Sequence, residues 1–324
     1  MFTVARSAWS SVGVDVSDAR NAWEACNKAG LDWTVEKESM RDQWGEVQGY
    51  KALRRSDNGF LLSVMRDSYT PVNNLEVFSV LDPFIREGSL VVDTATELEG
   101  GRKVVLNFKI KDLIGDVSQD DPVQGYLNAY NAHDGSLALG FGFHPYRLWC
   151  MNQQPRAMNY MARSGWDTNG AISIAHDKRA MKFRHTRSVN ANIKRVTDVI
   201  DLTKRQFNTT LEELRHLTTV DCNTALFRRV IEMTYANQMR LAGYKQPEEL
   251  HFYDRLLHNF EAGVGYEAHG GSLYGVVQAV SEYHTHQAGR STDEIERARK
   301  RLNALWFGTG DQMIARAHEI CLGV

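Results

Sequence analysis

Three turn-forming triplets set the strongest constraint on this chain. Asp57-Asn58-Gly59, Glu99-Gly100-Gly101 and His133-Asp134-Gly135 each stand between two strand-like runs. The flanking pairs are GYKALRRS with FLLSVM, SLVVDTATEL with RKVVLNFKIK, and VQGYLNAYNA with SLALGFGFH. Glycine supplies the positive φ that tight hairpin turns need, so the spacing predicts three hairpins. Between the first and second lies NNLEVFSVLDPFIREG, with Asn73 or Asn74 as cap and Val77, Phe78, Leu81, Phe84 and Ile85 on one side of a helix that Pro83 bends or interrupts. A shorter helix precedes them from Ser17, with Ala22, Trp23, Cys26 and Ala29 at helical spacing and Gly30 as its stop. Hairpins with one intervening helix predict an antiparallel sheet over residues 31–150, not alternating βαβ units.

After Cys150 the apolar period lengthens to that of a helix and stays so. Helices are expected over 148–164, 188–207, 209–217, 221–242, 247–261, 270–286, 292–307 and 311–322. The fold class is therefore α+β, a hairpin-rich antiparallel sheet with helices in the first half and a helical second half. The expected organisation is a core over 1–187 with a helical region over 188–324 packed on it. A 324-residue chain that is 43% hydrophobic can bury such a core. No apolar run approaches the roughly 20 residues of a membrane-spanning helix. Met1–Gly13 lacks a signal-peptide core, so a cytoplasmic location is expected.

Several chemistries are excluded by absence. There is no Gly-Lys dipeptide and hence no P-loop, no GxGxxG after a strand, no HExxH, no GxSxG, and no acidic-x-Lys triplet of the kind that metal-dependent nucleases place on a core strand. Cys26, Cys150, Cys222 and Cys321 are too dispersed for a zinc ribbon and read as reduced thiols. Among the histidines, His284 and His286 lie near a helix end and His251 and His258 share a helix face, which leaves a metal site open. The reading preferred for them is a His-rich helical surface or core edge. His133-Asp134 could offer a general base held by a carboxylate, but a hairpin turn explains it without catalysis. Asp120-Asp121 before Pro122 reads as a solvated loop. No cofactor is called for, and the chain reads as non-enzymatic.

Charge is the most informative local signal. The whole chain carries a net −2, yet between Lys178 and Arg205 nine basic residues face only Asp198 and Asp201, a net of +7. Such a concentration marks a polyanion site, because each phosphate contact releases condensed counterions. Lys178, Arg179, Lys182, Arg184, Arg187, Lys194 and Arg195 are the candidate phosphate contacts, and Trp149 and Phe183 the candidate stacking residues. In a helix over 188–207, Val189, Ile193, Val196, Ile200 and Phe207 face inward while Lys194, Arg195, Lys204 and Arg205 share the outer face. Arg54-Arg55, Arg102-Lys103, Lys109 and Lys111 either protect sheet edges or extend a nucleic-acid groove.

The order of motifs carries a resemblance. GLDWTVE, YKALRRSDNG, SYTPVNNLEVF, ELEGGRKVV, NAHDGS, the stretch Arg147–Asn152, the RHT at Arg184–Thr186, AVSEYHTH and ALWFGTGDQMIARA together resemble a phage- and plasmid-encoded family of unknown function. The chain departs from that pattern at Gln153 and Gln154, where Thr and Leu are usual. Relatives encoded among DNA-metabolism genes imply work on DNA. A fainter likeness, paired hairpins followed by a helix with Arg and Asn and then a basic segment, is to single-strand-annealing recombinases.

The function expected from these readings is single-stranded-DNA binding in phage or plasmid DNA metabolism, as an annealing or recombination accessory. A homo-oligomer would align repeated basic stripes along one strand, and replication proteins of host or phage are expected partners, with no membrane partner. Two alternatives stay open: a metal-dependent enzyme acting on nucleic acid, and a host-interaction or anti-defence protein.

Overall fold

The computed structural model describes residues 9, 11–137, 139–148, 150–154, 173–174, 180–183, 196–264 and 266–324. The elements run β1 (Val14–Asp15), α1 (Ala22–Lys28), β2 (Val35–Asp42), β3 (Gly45–Arg55), β4 (Leu61–Arg66), α2 (Asn74–Phe78), α3 (Asp82–Arg86), β5 (Leu90–Leu98), β6 (Lys103–Asp116), β7 (Pro122–Ala132), β8 (Leu139–Arg147), β9 (Ser173–Ile174) and β10 (Ala180–Phe183). The helical half follows as α4 (Val196–Thr218), α5 (Thr224–Ala242), α6 (Tyr253–Ala262), α7 (Leu273–Glu282), α8 (Glu294–Phe307) and α9 (Thr309–Leu322). The class is α+β, as expected.

The strands form two antiparallel sheets. One has seven strands in the order β1-β5-β6-β7-β8-β10-β9, and the other has three, β2-β3-β4. All three expected hairpins form, and consecutive pairing of β6 with β7 joins the second and third into a meander. The third turn needs its glycine: Gly135 sits at φ +73, Asp134 Oδ1 accepts from the Ser136 amide at 2.9 Å, and a β-carbon at 135 would lie 2.6 Å from the Met65 methyl. Pro83 does interrupt its helix, since a 3₁₀ turn over Ser79–Leu81 separates α2 from α3. The first helix is capped by Asn21 rather than started at Ser17, and Trp23 is exposed while Ala22, Ala25 and Cys26 turn inward.

The two faces of the large sheet differ in chemistry. Phe108, Leu127, Phe141 and Phe143 lie on one, where the Phe207 ring of α4 meets Phe143 edge-on at 6.1 Å. The other carries Thr94, Asn107, Asn128, Tyr126, Tyr130 and Tyr146, and receives Trp9 and α8. A row of buried polar groups crosses three strands there: Asn128 donates to Asn107, which donates to Thr94 Oγ1. One apolar cluster runs from Trp9 to Cys321, so sheet and helices share a core. Helix α7 lies at its centre. Every residue from Leu273 to Ser281 is buried, which is why its sequence is apolar all round rather than striped.

Two expected boundaries change. Residues 196–218 form one helix where two were expected, and Cys150–Gln154 form a turn and a bridge where a helix was expected to begin. The Met151 backbone at φ +53 cannot continue a helix, and Gln153 pairs back onto Tyr146.

Candidate functional site

Strand β8 ends in a buried ion pair. Arg147, its last residue, lies opposite Val123 of β7, and the turn before β7 delivers Asp121 beside it. Arg147 Nε donates to Asp121 Oδ1 at 2.5 Å, and neither side chain has any exposure. Tyr274 on α7 donates its hydroxyl to Asp121 Oδ2 at 3.3 Å, while Arg147 Nη1 donates to the Val264 carbonyl at 3.3 Å and its guanidinium lies 5.7 Å from the Tyr274 ring centre. Burial works against the arginine's charge, but the facing Asp121 carboxylate outweighs it and the guanidinium is held charged. The adjacent Cys150 thiol is pushed by burial up to about 11, Arg147 opposing, so it is no nucleophile at neutral pH.

The chain then turns tightly through a buried amide network. Met151 N donates to Arg147 O and Arg147 N to Asn152 O. Gln153 accepts at Oε1 from the Tyr146 hydroxyl (3.0 Å) and donates through Nε2 to Asp311 Oδ1 (2.9 Å) at the start of α9. Its carbonyl accepts from Ser281 Oγ at 2.6 Å. Gln154 and Gln278 of α7 exchange amide hydrogen bonds at 3.3 and 2.7 Å. Trp306 Nε1 donates to the Tyr146 hydroxyl at 3.1 Å. Asn152, Gln153 and Gln154 are all fully buried. Gln154 and Gln278 bond to each other and Gln153 to hydroxyls and a carboxylate, an arrangement that clamps the backbone up to Gln154.

The predicted contact residues divide unevenly around this clamp. Lys178, Arg179, Arg184, Arg187, Lys194, Arg195 and Trp149 lie outside the described residues. Lys182 and Phe183 fall in β10, in register with Gly140 and Leu139 of β8. Lys204 is exposed on α4 and Phe207, three residues on, is buried, as the amphipathic reading of that helix requires. Both ends of the basic stretch are thus attached to β8, because β10 pairs with it and α4 packs across it.

The other basic residues of the sheets are mostly compensated. Arg55 is nearly buried, stacks 4.5 Å from the Trp33 ring and pairs with Asp57 (2.7 Å) and Glu97 (2.8 Å). Arg54 pairs with Glu38, Lys103 with Glu99 and Lys109 with Asp93, and Arg102 donates to the Leu62 carbonyl. A groove across the sheet finds little free charge there.

The histidines do not converge. His133 lies buried 2.9 Å from Asn74 Oδ1, and His284 pairs with the Tyr235 hydroxyl at 2.9 Å. Burial pushes the His286 pKa down to about 4. Among the described residues no group of three or more His, Cys, Asp or Glu side chains could hold a metal ion. Asp121 corrects the expectation of a solvated loop: the turn is polar, but its second acid faces inward onto Arg147. Sequence reasoning missed this pair because 26 positions separate its members. The one available signal was an arginine closing an otherwise apolar strand.

A second concave feature lies between α5 and α9, a cleft of about 1040 Å³ with the Tyr235–His284 pair in its wall. Burial pushes the His284 pKa down to about 4, so the imidazole is neutral at neutral pH.

A family model described as a domain of unknown function matches residues 61–306. No curated protein and no solved structure matches the chain.

Proposed function

Because the chain belongs to a family of unknown function, DUF932, whose description names no activity, we propose its function from charge and placement: it binds single-stranded DNA. One observation carries this reading. A net +7 over Lys178–Arg205, in a chain of net −2, is attached at both ends to the same strand, with Lys182 on β10 and Lys204 on α4. Lys178, Arg179, Lys182, Arg184, Arg187, Lys194 and Arg195 contact phosphates, and Trp149 and Phe183 stack on bases. The buried clamp that ends at Gln154 supports the reading, since it anchors the end of β8, the strand that β10 and α4 flank. An annealing or recombination role on mobile DNA, in a homo-oligomer, is the finer form of the proposal.

Salt dependence tests it. Seven contacts give a slope of log affinity on log salt of about −5 for a single strand, so raising salt from 50 to 200 mM weakens binding roughly 10³-fold. A fluorescently labelled oligonucleotide titrated at both concentrations measures this. Replacing Arg184, Arg187, Lys194 and Arg195 by Gln should lower the slope to about −2. Absence of binding at 50 mM salt, or a slope unchanged in the variant, refutes the proposal.

A further inference from the structure

The cleft between α5 and α9 is built from two helix faces. Thr234, Gln238 and Leu241 line one wall, and Thr309, Gln312 and Arg316, at helical spacings of three and four, line the other. In its wall the buried Tyr235 hydroxyl pairs with His284 Nε2 at 2.9 Å. His284 belongs to a single π turn, Tyr283–Gln287, that ends α7. Such turns are common where a side chain has to be re-aimed at a site.

The charge of this lining is one-sided. Among the described residues no carboxylate lines the cleft, His284 is neutral, and Arg316 is the only charged side chain in the lining. Arg316 uses Nε to hold the Met233 carbonyl at 3.1 Å, which fixes the guanidinium at the rim and leaves both terminal nitrogens to donate. None of its nitrogens is in an ion pair among the described residues. Asn237 Oδ1 accepts from Arg240, so its amide nitrogen is left as a donor on the same side. Leu241 and Met313 add apolar surface. A cavity of this size, with a few polar groups and one fixed cation, matches an organic anion of nucleotide size better than a bare ion.

We propose that this cleft binds a small phosphorylated molecule of mononucleotide size, its phosphate on the Arg316 guanidinium and its polar body against the Tyr235–His284 pair. None of the residues that line it lies between Lys178 and Arg205, and the proposal does not depend on the role of that stretch.

Adenosine 5′-monophosphate, adenosine and inorganic phosphate are the probes, titrated calorimetrically into the full chain at neutral pH. The expected result is saturable binding of the monophosphate at one site per chain, at least tenfold tighter than adenosine or phosphate alone. Arg316→Gln should cost at least tenfold for the monophosphate and leave adenosine unchanged. Arg316 is exposed, so this variant keeps the fold. Tyr235→Phe should weaken both adenosine and its monophosphate, because the buried Tyr235 hydroxyl holds the His284 ring in the wall that meets the body, not the phosphate. Three outcomes overturn the proposal: no saturable monophosphate binding up to about 1 mM, an affinity unchanged in Arg316→Gln, or inorganic phosphate binding as tightly as the monophosphate.

Discussion

Replacing Asp121 by Asn tests the buried ion pair most directly. The substitution keeps the size of the side chain and removes its charge, so Arg147 is left charged at zero exposure with the Val264 carbonyl as a neutral acceptor. Removing one member of a buried pair costs about 3–5 kcal/mol, because the remaining charge is neither solvated nor compensated. Unfolding a chain of 324 residues carries an entropy of about 0.7 kcal/mol per degree, at roughly 2 cal/mol/K per residue. A loss of 4 kcal/mol therefore lowers Tm by about 6 °C. Thermal melts followed by circular dichroism measure it, alongside the double variant Asp121→Leu/Arg147→Met. That pair removes both charges and fills the space with apolar groups, and it should recover at least half of the lost stability. An Asp121→Asn variant within about 1 °C of the parent, or a double variant no more stable than Asp121→Asn, refutes the assignment of Arg147 as a charge that depends on Asp121.

Acid sensitivity should come from the buried histidines. Burial depresses the pKa of His269 to about 3 and of His284 and His286 to about 4, against 6.5 unfolded. The unfolded chain thus binds more protons below pH 6.5, and the stability these groups contribute above that value is lost as pH falls toward 4. Tm should drop between pH 7.5 and pH 5, with a shallower drop in His284→Gln; parallel profiles would show that His284 is not titrating. Gly135→Val combines a φ of +73 with a 2.6 Å approach to the Met65 methyl and should cost about 1–3 kcal/mol in urea unfolding. Adding Met65→Ala relieves the contact but not the backbone strain, so only part of the loss should return.

The sequence made the architecture legible wherever the cue was local. The three glycine turns located three hairpins, Pro83 located a helix break, and the apolar spacing through Phe207 located the inner face of α4. What escaped depends on distance along the chain. Helix α7 has no stripe to orient it, since neighbours surround it on all sides. Residues 150–154 read as helix because nothing local reports that Gln153 has partners at 281, 285 and 311. Asp121 and Arg147 each look like surface residues alone. At the candidate site the concentration of charge was visible, but its frame was not: only the pairing of β10 with β8 places Lys182 and Lys204 about one strand.

That frame leads to a final prediction about why a costly polar clamp closes the strand that β10 and α4 flank. An ion pair buried at zero exposure adds little net stability over apolar residues of the same size. Its distinctive property is direction: a guanidinium bonded to a carboxylate and a carbonyl is held in one orientation, and it fixes the turn from Arg147 to Gln154 at the end of the strand to which β10 is paired. If the clamp serves the placement of that stretch, the double variant Asp121→Leu/Arg147→Met should fold at near-parental stability and yet bind single-stranded oligonucleotide about tenfold more weakly, a loss of roughly 1.4 kcal/mol. Its salt slope should stay near −5, because no phosphate contact has been removed. The orientation of the contacts, not their number, is what changes. A double variant that is stable and binds as tightly as the parent would assign the pair to the fold alone. One that loses slope as well as affinity would mean that the charges themselves had been displaced from the strand, and the clamp would then act on contact number instead of orientation.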